Sequence, residues 1–257
     1  MTNLTGKLVL ITGATSGIGE SCARIFAAAG ARLLICARRQ DRLTAMESEW
    51  RASGAADVRA IQLDVRDGRA VTSAIGSLPE SWSDIDILVN NAGLSRGLDP
   101  IQDGELQDWE EMIDTNIKGL LYVSRAVLPG MIGRGGGHVI NIGSIAGHEV
   151  YPKGNVYCAT KHAVGAITRG MQLDLLGTGV RVSTVDPGLV ETEFSMVRFH
   201  GDSERASSVY KGYTPLSPDD VAEAVCYCAT RPPHVNIHEM ILMPAAQASA
   251  TMVDRRA

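Results

Sequence analysis

The sequence lacks the features with which proteins bind nucleic acids or membranes. Acidic residues outnumber basic ones by 29 to 24, and the formal net charge is -5, so there is no basic surplus to attract a phosphate backbone or an anionic lipid surface. No apolar run approaches the roughly 20 residues that a membrane-spanning helix needs. A strand-like run already begins at Leu8, so we expect no signal peptide. These absences argue against nucleic acid and membranes as partners.

Cysteine is also scarce, and its spacing is irregular. The five cysteines contain no C-x-x-C pair, and two cysteines at i and i+2 on a helix point to nearly opposite sides. His148 and His162 have no partner at a spacing typical of metal ligands. We therefore expect no metal site, and reduced core thiols such as cytoplasmic proteins carry, at Cys22, Cys36, Cys158, Cys226 and Cys228.

What the sequence does contain is a regular alternation of short apolar runs and longer segments of helical period. Several runs are apolar at every residue, as strands covered on both faces require. The alternation predicts one α/β domain over residues 1–257, with a doubly wound, mostly parallel sheet of seven strands and helices on both faces. The predicted strands are Leu8–Ile11, Arg32–Cys36, Val58–Leu63, Ile85–Val89, His138–Ile142, Val180–Val185 and Met240–Leu242. The predicted helices include Ile18–Ala29, Arg42–Ser53, Leu106–Leu128, Val156–Leu176 and Pro218–Thr230.

A glycine-rich turn connects the first predicted strand to the first helix. The segment T-G-A-T-S-G-I-G holds Gly13, Gly17 and Gly19, with Ser16 and Ile18 between them. Bare backbone N–H groups at a helix N-terminus bind phosphate, and the helix dipole favours its negative charge. A tight turn without a ligand is the alternative. The position at the first strand–helix junction favours a dinucleotide site.

Tyr157 and Lys161 lie four residues apart in a predicted helix. One helical turn separates them, so their side chains share a face of the helix. An ordinary helix face is one interpretation of this pair, and an acid/base pair is the other. The surrounding motifs decide between them.

Five motifs follow one another in a characteristic order. The glycine spacing is G-x-x-x-G-x-G; Asn90–Gly93 (N-N-A-G) follows the fourth strand, Ser144 follows the fifth, and Tyr157 and Lys161 come in the next helix. In this order they resemble the motifs of the short-chain dehydrogenase/reductase family, and the resemblance extends over essentially the whole chain. It implies a Rossmann-type fold and an oxidoreductase that moves a hydride between a nicotinamide dinucleotide and an alcohol or carbonyl carbon.

The resemblance also implies a catalytic set of Asn116, Ser144, Tyr157 and Lys161. The protein must exchange a proton with the substrate oxygen, and a phenol with a pKa near 10 does so at neutral pH only if that pKa falls by about three units, or about 4 kcal/mol. A lysine ammonium about 4 Å away supplies about this much at an effective dielectric constant near 20. Ser144 is expected to orient the substrate oxygen, and Asn116 to hold a water beside the lysine.

The end of the second strand indicates which dinucleotide binds. Family members that use NAD usually carry an acidic residue there, whereas this chain has Ala37 followed by Arg38 and Arg39. Guanidinium groups form charge-assisted hydrogen bonds with phosphate, so the arginines favour NADP over NAD by about ten- to a hundredfold for one good contact. The alternative is that they are solvated charges ahead of the next helix.

The remaining cofactor residues are implied by the resemblance alone. Thr192 could instead be a helix cap. The implied set comprises Gly13, Ser16, Gly17, Ile18 and Gly19 at the pyrophosphate, Asp64 and Val65 at the adenine, Asn91, Ala92 and Gly93 along the cleft, Pro187, Gly188, Val190 and Thr192 at the nicotinamide carboxamide, and Tyr157 and Lys161.

The substrate is suggested by two stretches, G-N-V-Y-C-A-T-K and P-G-L-V-E-T-E-F-S-M-V-R-F. They resemble the branch of the family that acts on small 3-hydroxy acids such as L-serine, allo-threonine and 3-hydroxypropionate. A small anionic substrate needs a cation, and Arg198 is the first choice, ahead of Lys153, Arg205 and Lys211. A reductase of uncharged ketones or aldehydes is the alternative function, and a non-catalytic dinucleotide sensor is a further one.

Two expectations concern larger parts of the chain. The segment 186–216, called the lid segment below, has glycines, prolines and charges without a clear period, and we expect it to cover the substrate. The resemblance suggests a homotetramer built through Leu106–Leu128 and Val156–Leu176.

Overall fold

The computed structural model describes residues 4–52 and 54–256. Its seven strands form one sheet in the order β3-β2-β1-β4-β5-β6-β7, and every neighbouring pair is parallel. The strands are β1 (Leu8–Thr12), β2 (Arg32–Ala37), β3 (Asp57–Gln62), β4 (Ile87–Asn90), β5 (Gly137–Ile142), β6 (Val180–Pro187) and β7 (Glu239–Leu242).

Helices cover both faces of this sheet. One core cluster packs α1, α2 and α10 against one face, with Phe26 and Trp50 among its largest buried side chains. A second cluster on the other face includes Val123 and Met131 of α6. The helices are α1 (Gly17–Ala28), α2 (Gln40–Ala52), α3 (Gly68–Gly76), α4 (Glu80–Ser83), α5 (Leu106–Ile113), α6 (Leu120–Gly133), α7 (Asn155–Asp174), α8 (Phe194–Arg198), α9 (Ser203–Ser208) and α10 (Pro218–Ala229).

The predicted fold class is confirmed: a doubly wound Rossmann-type sheet of seven strands. The ends of the predicted strands move by no more than two residues. The predicted helix Leu106–Leu128 continues to Gly133 through a π-helical turn at Asp114–Gly119. Ser53, the predicted end of the second helix, lies outside the described residues. The sequence did not indicate α3, α4, α8 or α9, because helices of four to nine residues contain too few turns to show a clear period.

The five cysteines are buried and none forms a disulfide, as the sequence predicted for core thiols. Burial raises the pKa of Cys36 to about 12 and that of Cys228 to about 11, so these thiols stay protonated at neutral pH. In the described part of the chain, no helix is both long and apolar enough to cross a bilayer.

The sheet brings the predicted motifs together at one edge. The glycine turn follows β1, the N-N-A-G motif ends β4, Ser144 follows β5, and Pro187–Thr192 begins at the end of β6. The carboxyl ends of parallel strands meet at one edge of the sheet. The direction in which successive strands are added to the sheet reverses between β1 and β4, and doubly wound folds bind ligands at such a position.

Candidate active site

A cleft of about 640 Å³ runs along this edge of the sheet. Nearly every site residue predicted from the sequence lines it. The two exceptions, Gly19 and Asn116, lie behind its wall, where Gly19 packs against Asn91 and Asn116 against Gly93. The cleft therefore brings residues from many separate parts of the chain into one place.

The glycine turn has the shape that a pyrophosphate requires. Gly13 and Gly17 have φ angles of 65° and 53°, in the left-handed region that favours glycine. A Cβ atom on Gly19 would stand 2.4 Å from the carbonyl oxygen of Gly13, so only glycine lets α1 approach the turn this closely. Ser16 makes no side-chain capping bond, and the first N–H groups of a helix have no partner within it. The residues present fit a dinucleotide.

Thr12, which the sequence did not indicate as a site residue, connects the glycine turn to the residues after β4. Its hydroxyl oxygen accepts hydrogen bonds from the N–H groups of Asn91 at 3.0 Å and Ala92 at 2.9 Å. The Asn91 side chain in turn donates to the carbonyl oxygens of Thr12 and Gly13 at 2.9 and 3.1 Å. Asn91 thus ties the end of β4 to the glycine turn.

Arg38 and Arg39 line the cleft at the end of β2, as predicted. Arg39 donates to the Thr15 carbonyl oxygen at 3.1 Å and to Glu193 at 3.0 Å, and Arg42 also bonds Glu193, at 2.8 Å. Arg42 and Glu193 were missed, because Glu193 lies about 150 positions from both arginines. A guanidinium has five donors, so Arg39 can hold Glu193 and still bind a phosphate.

Asp64 lines the cleft beyond β3 and is held by Arg66. The Nη2 atom of Arg66 lies 2.6 Å from Asp64 Oδ2, and the Arg66 N–H donates to Oδ1 at 3.0 Å. Burial acts to raise the pKa of Asp64, but the hydrogen bonds from Arg66 outweigh burial and the pKa is lowered. The carboxylate is therefore a charged acceptor at the part of the cleft beyond β3.

Ser144, Tyr157 and Lys161 meet in the middle of the cleft, and all three are buried. Lys161 Nζ lies 6.0 Å from the centre of the Tyr157 ring and donates to the carbonyl oxygen of Ile142 at 2.9 Å. Ser144 Oγ accepts from the N–H group of Ala146 at 3.1 Å. Ser144 acts on the Tyr157 hydroxyl as a hydrogen-bonding neighbour and tends to lower its pKa. A hydroxyl, a phenol and an ammonium therefore converge on one region of the cleft.

The pKa values in this group are set mainly by burial. Burial raises the pKa of Tyr157, and the hydrogen bond with Ser144 and the charge of Arg198 act against that rise. Burial also lowers the pKa of Lys161 to about 8, so the amine is still mostly protonated at pH 7. The pKa near neutrality expected for Tyr157 is therefore not produced by the surrounding residues alone; the positive charge of an oxidised nicotinamide beside the phenol acts in that direction.

Asn116 lies in the π-helical turn between α5 and α6, a type of irregularity frequent at functional sites. Its Oδ1 accepts from the N–H group of Leu94 and its Nδ2 donates to the Leu94 carbonyl oxygen, both at 2.8 Å. Asn116 also donates to Thr160 Oγ1 at 3.0 Å. A Cβ atom on Gly93 would lie 3.2 Å from Asn116 and 3.7 Å from Lys161 Nζ. Asn116 thus stands beside the lysine without touching it.

Arg198 reaches into the cleft from the end of α8. Its guanidinium carbon lies 5.4 Å from the centre of the Tyr157 ring and 5.5 Å from that of Tyr151, whose hydroxyl accepts a hydrogen bond from Nη2. The buried Nε atom has no hydrogen-bond partner among the described residues. The other cations considered from the sequence do not line the cleft: Lys153, Arg205 and Lys211.

Tyr151 and residues 247–256, called the tail below, also contribute to the cleft, which the sequence did not predict. Tyr151 lies in a loop without periodicity, and the tail residue Gln247 is buried and accepts from the N–H group of Leu189 at 2.9 Å. Arg255 donates to the carbonyl oxygens of Val209 and Lys211 at 3.0 and 2.6 Å. The tail therefore lies against the lid segment of its own chain.

Thr192 makes the contact that the sequence analysis considered as the alternative to a cofactor role. Its hydroxyl oxygen accepts from the N–H group of Phe194 at 3.1 Å, which is the capping contact considered as the alternative. Its methyl group would also lie 3.1 Å from a Cβ atom on Gly17. Thr192 therefore stands across the cleft from the glycine turn while it orders the start of α8.

This fold and this site define a class of oxidoreductases. The family model for short chain dehydrogenases matches residues 7–202, and the chain belongs to the short-chain dehydrogenase/reductase family.

Individual relatives are similar over nearly their whole length. NADP-dependent 3-hydroxy acid dehydrogenase YdfG of Salmonella typhi is 50% identical over 95% of this chain and 97% of its own. Sulfoacetaldehyde reductase 2 of Chromohalobacter salexigens is 49% identical over 96% of this chain and 98% of its own. The closed form of a serine dehydrogenase complexed with NADP+ superimposes with a TM-score of 0.91 at 47% identity, over 97% of this chain and 100% of that one.

Proposed function

We propose that this chain is an NADP-dependent oxidoreductase that interconverts a small 3-hydroxy acid and its oxo or semialdehyde form. The observation that carries the proposal is Arg198, a cation in the cleft beside the ring of Tyr157. Relatives about 50% identical bear the names of a 3-hydroxy acid dehydrogenase and a sulfoacetaldehyde reductase. The substrates named for both carry an anion a short distance from the reacting carbon.

The surroundings of Arg198 suit an anion. Its guanidinium is flanked by the rings of Tyr151, Tyr157 and Phe194 at 5.4 to 5.9 Å, and a charge with apolar neighbours interacts more strongly than one in water. The unpartnered Nε atom offers a donor for a carboxylate or sulfonate oxygen. Because the guanidinium lies over the Tyr157 ring, the anion it binds must be close to the reacting carbon, which selects short substrates.

In this mechanism, bound NADPH supplies the hydride and the chain supplies the proton. The Tyr157 phenol donates its proton to the carbonyl oxygen in reduction and accepts it back in oxidation. Ser144 orients the same oxygen by a hydrogen bond, and the Lys161 ammonium stabilises the phenolate that forms. Asn116 positions the π-helical turn beside the lysine. Arg38 and Arg39 would bind the 2′-phosphate of NADPH, and Asp64 would bind its adenine end.

Arg198→Ala tests the substrate assignment. We expect KM for 3-hydroxypropionate or L-serine to rise by about ten- to a hundredfold, since one charge-assisted hydrogen bond contributes about 1.5–3 kcal/mol. The change in kcat should be smaller, and the Kd for NADPH should stay within about twofold. Steady-state kinetics and NADPH fluorescence titration measure these quantities.

Arg205→Ala is the matched control, because Arg205 is an exposed arginine of the same lid segment that stacks on Phe199 but does not itself line the cleft. Its KM should equal that of the wild type. An unchanged KM in Arg198→Ala, or an equal rise in both variants, would contradict the assignment.

The substrate class is decided by following NADPH and NADH absorbance across a panel of compounds. L-Serine, allo-threonine and 3-hydroxypropionate test the proposal, and sulfoacetaldehyde tests the reaction named for one relative. Matched neutral compounds, such as 1,3-propanediol, test the alternative of an uncharged substrate. Turnover of the neutral compounds with none of the acids would overturn the proposal, whereas binding of NADPH without any turnover would select a sensor.

The lid, the tetramer and the cytoplasmic location belong to this proposal as well. The lid segment 186–216 supplies Thr192 and Arg198 to the cleft, which supports a covering role. Large exposed apolar side chains on α5, α6 and α7 support a homotetramer through these helices: Leu106, Ile113, Leu121, Ile132 and Leu173. Light scattering of the purified protein tests the assembly, since a monomer would contradict it. The cytoplasmic location stays a prediction.

A further inference from the structure

The buried carboxylate of Asp186 has no part in the mechanism above. It lies near the end of β6 with 3% of its surface exposed, and both of its oxygens have partners. Oδ1 accepts from the Thr184 hydroxyl at 2.5 Å, and Oδ2 lies 2.7 Å from His148 Nε2. The sequence did not indicate this partner for His148, because Asp186 lies 38 positions away.

Asp186 lies beside the backbone segment to which Lys161 is hydrogen-bonded. A Cβ atom on Gly143 would lie 1.8 Å from Asp186 Oδ1, so the carboxylate packs against the bare backbone of residue 143. The carbonyl oxygen of the preceding residue, Ile142, accepts the hydrogen bond of Lys161 at 2.9 Å. The carboxylate therefore lies next to the backbone that holds the ammonium.

The charged and titratable groups that act on Asp186 and Lys161 come from four elements. Asp186 is faced by His148 from the loop after β5, by Glu239 from β7 and by Lys161 from α7. Glu239 is the outermost, with 40% of its side chain exposed and its Oε1 atom 3.9 Å from His148 Nε2. Lys161 is faced by Asp186 and by the phenol of Tyr157.

His148, Asp186 and Glu239 have the composition of a divalent-cation site, but their geometry favours a hydrogen bond. Two ligands of a tetrahedral zinc ion, each about 2.0–2.1 Å from it, lie about 3.3 Å apart. His148 Nε2 and Asp186 Oδ2 are already at 2.7 Å, the length of a charge-assisted hydrogen bond. The group is better described as a carboxylate held in place by an imidazole.

The pKa shifts of Lys161 and Asp186 agree with the position of the carboxylate near the ammonium. Burial lowers the pKa of Lys161 to about 8, and the charge of Asp186 acts against that fall. Burial raises the pKa of Asp186 itself, while the hydrogen bonds from Thr184 and His148 act against that rise. Each contact that keeps the carboxylate ionised therefore also favours a protonated lysine.

We propose that Asp186 is the counter-charge that keeps Lys161 protonated during the reaction, and that His148 is a positioning residue that holds the Asp186 carboxylate ionised. This inference rests on the proposed function, because the ammonium matters only through its effect on the Tyr157 phenol. Neither residue lines the cleft, so both act through Lys161.

Asp186→Asn is the direct test. Without the negative charge, the lysine loses its proton at lower pH, so the alkaline limb of the pH–rate profile for carbonyl reduction should move by about one unit toward acid. The variant should then be about tenfold slower than the wild type at pH 9 and within about twofold of it at pH 6. The measurement is kcat/KM for NADPH-dependent reduction from pH 6 to pH 10, with any carbonyl that the wild type reduces.

Glu239→Gln is the matched control, since it removes one carboxylate of the same group without touching Asp186, and its profile should coincide with that of the wild type. His148→Ala should move the limb in the same direction as Asp186→Asn by a smaller amount. His148→Asn, which keeps a side-chain donor, should restore part of the shift. A role in structure alone would lower the rate equally at every pH.

The outcomes separate this inference from the proposed function. If the wild type reduces no carbonyl with NADPH, the proposed function fails. If the wild type is active and the limb stays in place in a folded Asp186→Asn variant, the inference is overturned. If circular dichroism shows that Asp186→Asn does not fold, the two His148 variants provide the test instead. An alkaline limb that stays in place in His148→Ala then overturns the inference.

Discussion

Tyr157→Phe should lower kcat for carbonyl reduction by about 10²- to 10⁴-fold, the usual contribution of a positioned proton donor. The phenol is buried near Ser144 and the Lys161 ammonium. The other tyrosine hydroxyls that line the described cleft are engaged elsewhere, Tyr151 with Arg198 and Tyr210 with Ser195 and Val190. The ring contacts with Arg198 and Phe194 persist in the variant, because phenylalanine keeps the aromatic ring. Affinity for NADPH should therefore change by less than about tenfold.

Single-turnover kinetics distinguishes the loss of a proton donor from the loss of binding. With saturating NADPH and substrate, the rate of the chemical step should fall as much as kcat does. Tyr227→Phe is the control, since Tyr227 lies on α10 with 50% of its surface exposed and should retain wild-type kinetics. Wild-type turnover by Tyr157→Phe would remove the proposed mechanism altogether.

A double variant, Arg38→Ala with Arg39→Ala, should abolish most of the preference for NADP over NAD. Each guanidinium contact with a phosphate contributes about 1.5–3 kcal/mol, so the ratio of the two kcat/KM values should fall by about 10²- to 10⁴-fold if both arginines bind the 2′-phosphate. The effect should come from weaker NADP binding, with kcat/KM for NAD within about threefold of its wild-type value.

The single variants Arg38→Ala and Arg39→Ala show how much each arginine contributes to the preference for NADP. Arg39 is anchored by Thr15 and Glu193, whereas Arg38 has a longer ion pair with Glu111 at 3.7 Å, so Arg39→Ala should have the larger effect. Arg24→Ala is the control, because Arg24 is an exposed arginine of α1 paired with Asp219. An unchanged NADP preference in the double variant would show that both arginines are solvated surface charges that do not bind the 2′-phosphate.

Much of the fold was predictable because its signals are local. The residues of β1 and β2 are apolar at nearly every position, since helices cover both faces of the sheet, and such runs stand out in the sequence. The helix α10 begins with Ser217 and Pro218, and its capping box with Asp220 is a local signal as well. The short helices α8 and α9 were not predicted, because five and six residues contain too few turns to show a period.

In the candidate site, too, local features were predictable from the sequence and contacts between remote residues were not. The glycine turn, Ser144 and the pair of Tyr157 and Lys161 each lie within one contiguous stretch, so their residue types and spacing carried the prediction. The contacts that surround them were not predictable: Tyr151 meets Arg198 across 47 positions, and His148 meets Asp186 across 38. No periodicity connects residues so far apart in the chain.

By itself, the sequence determined which backbone turns can accept a phosphate, which strands are buried and which helix carries the phenol and the amine, because each depends on neighbours within a few residues. Only the tertiary structure decided which arginine enters the cleft, which carboxylate lies near Lys161 and how far burial shifts each pKa. Those properties depend on distances between remote segments and on the exclusion of water, and both arise only when the seven strands assemble into one sheet.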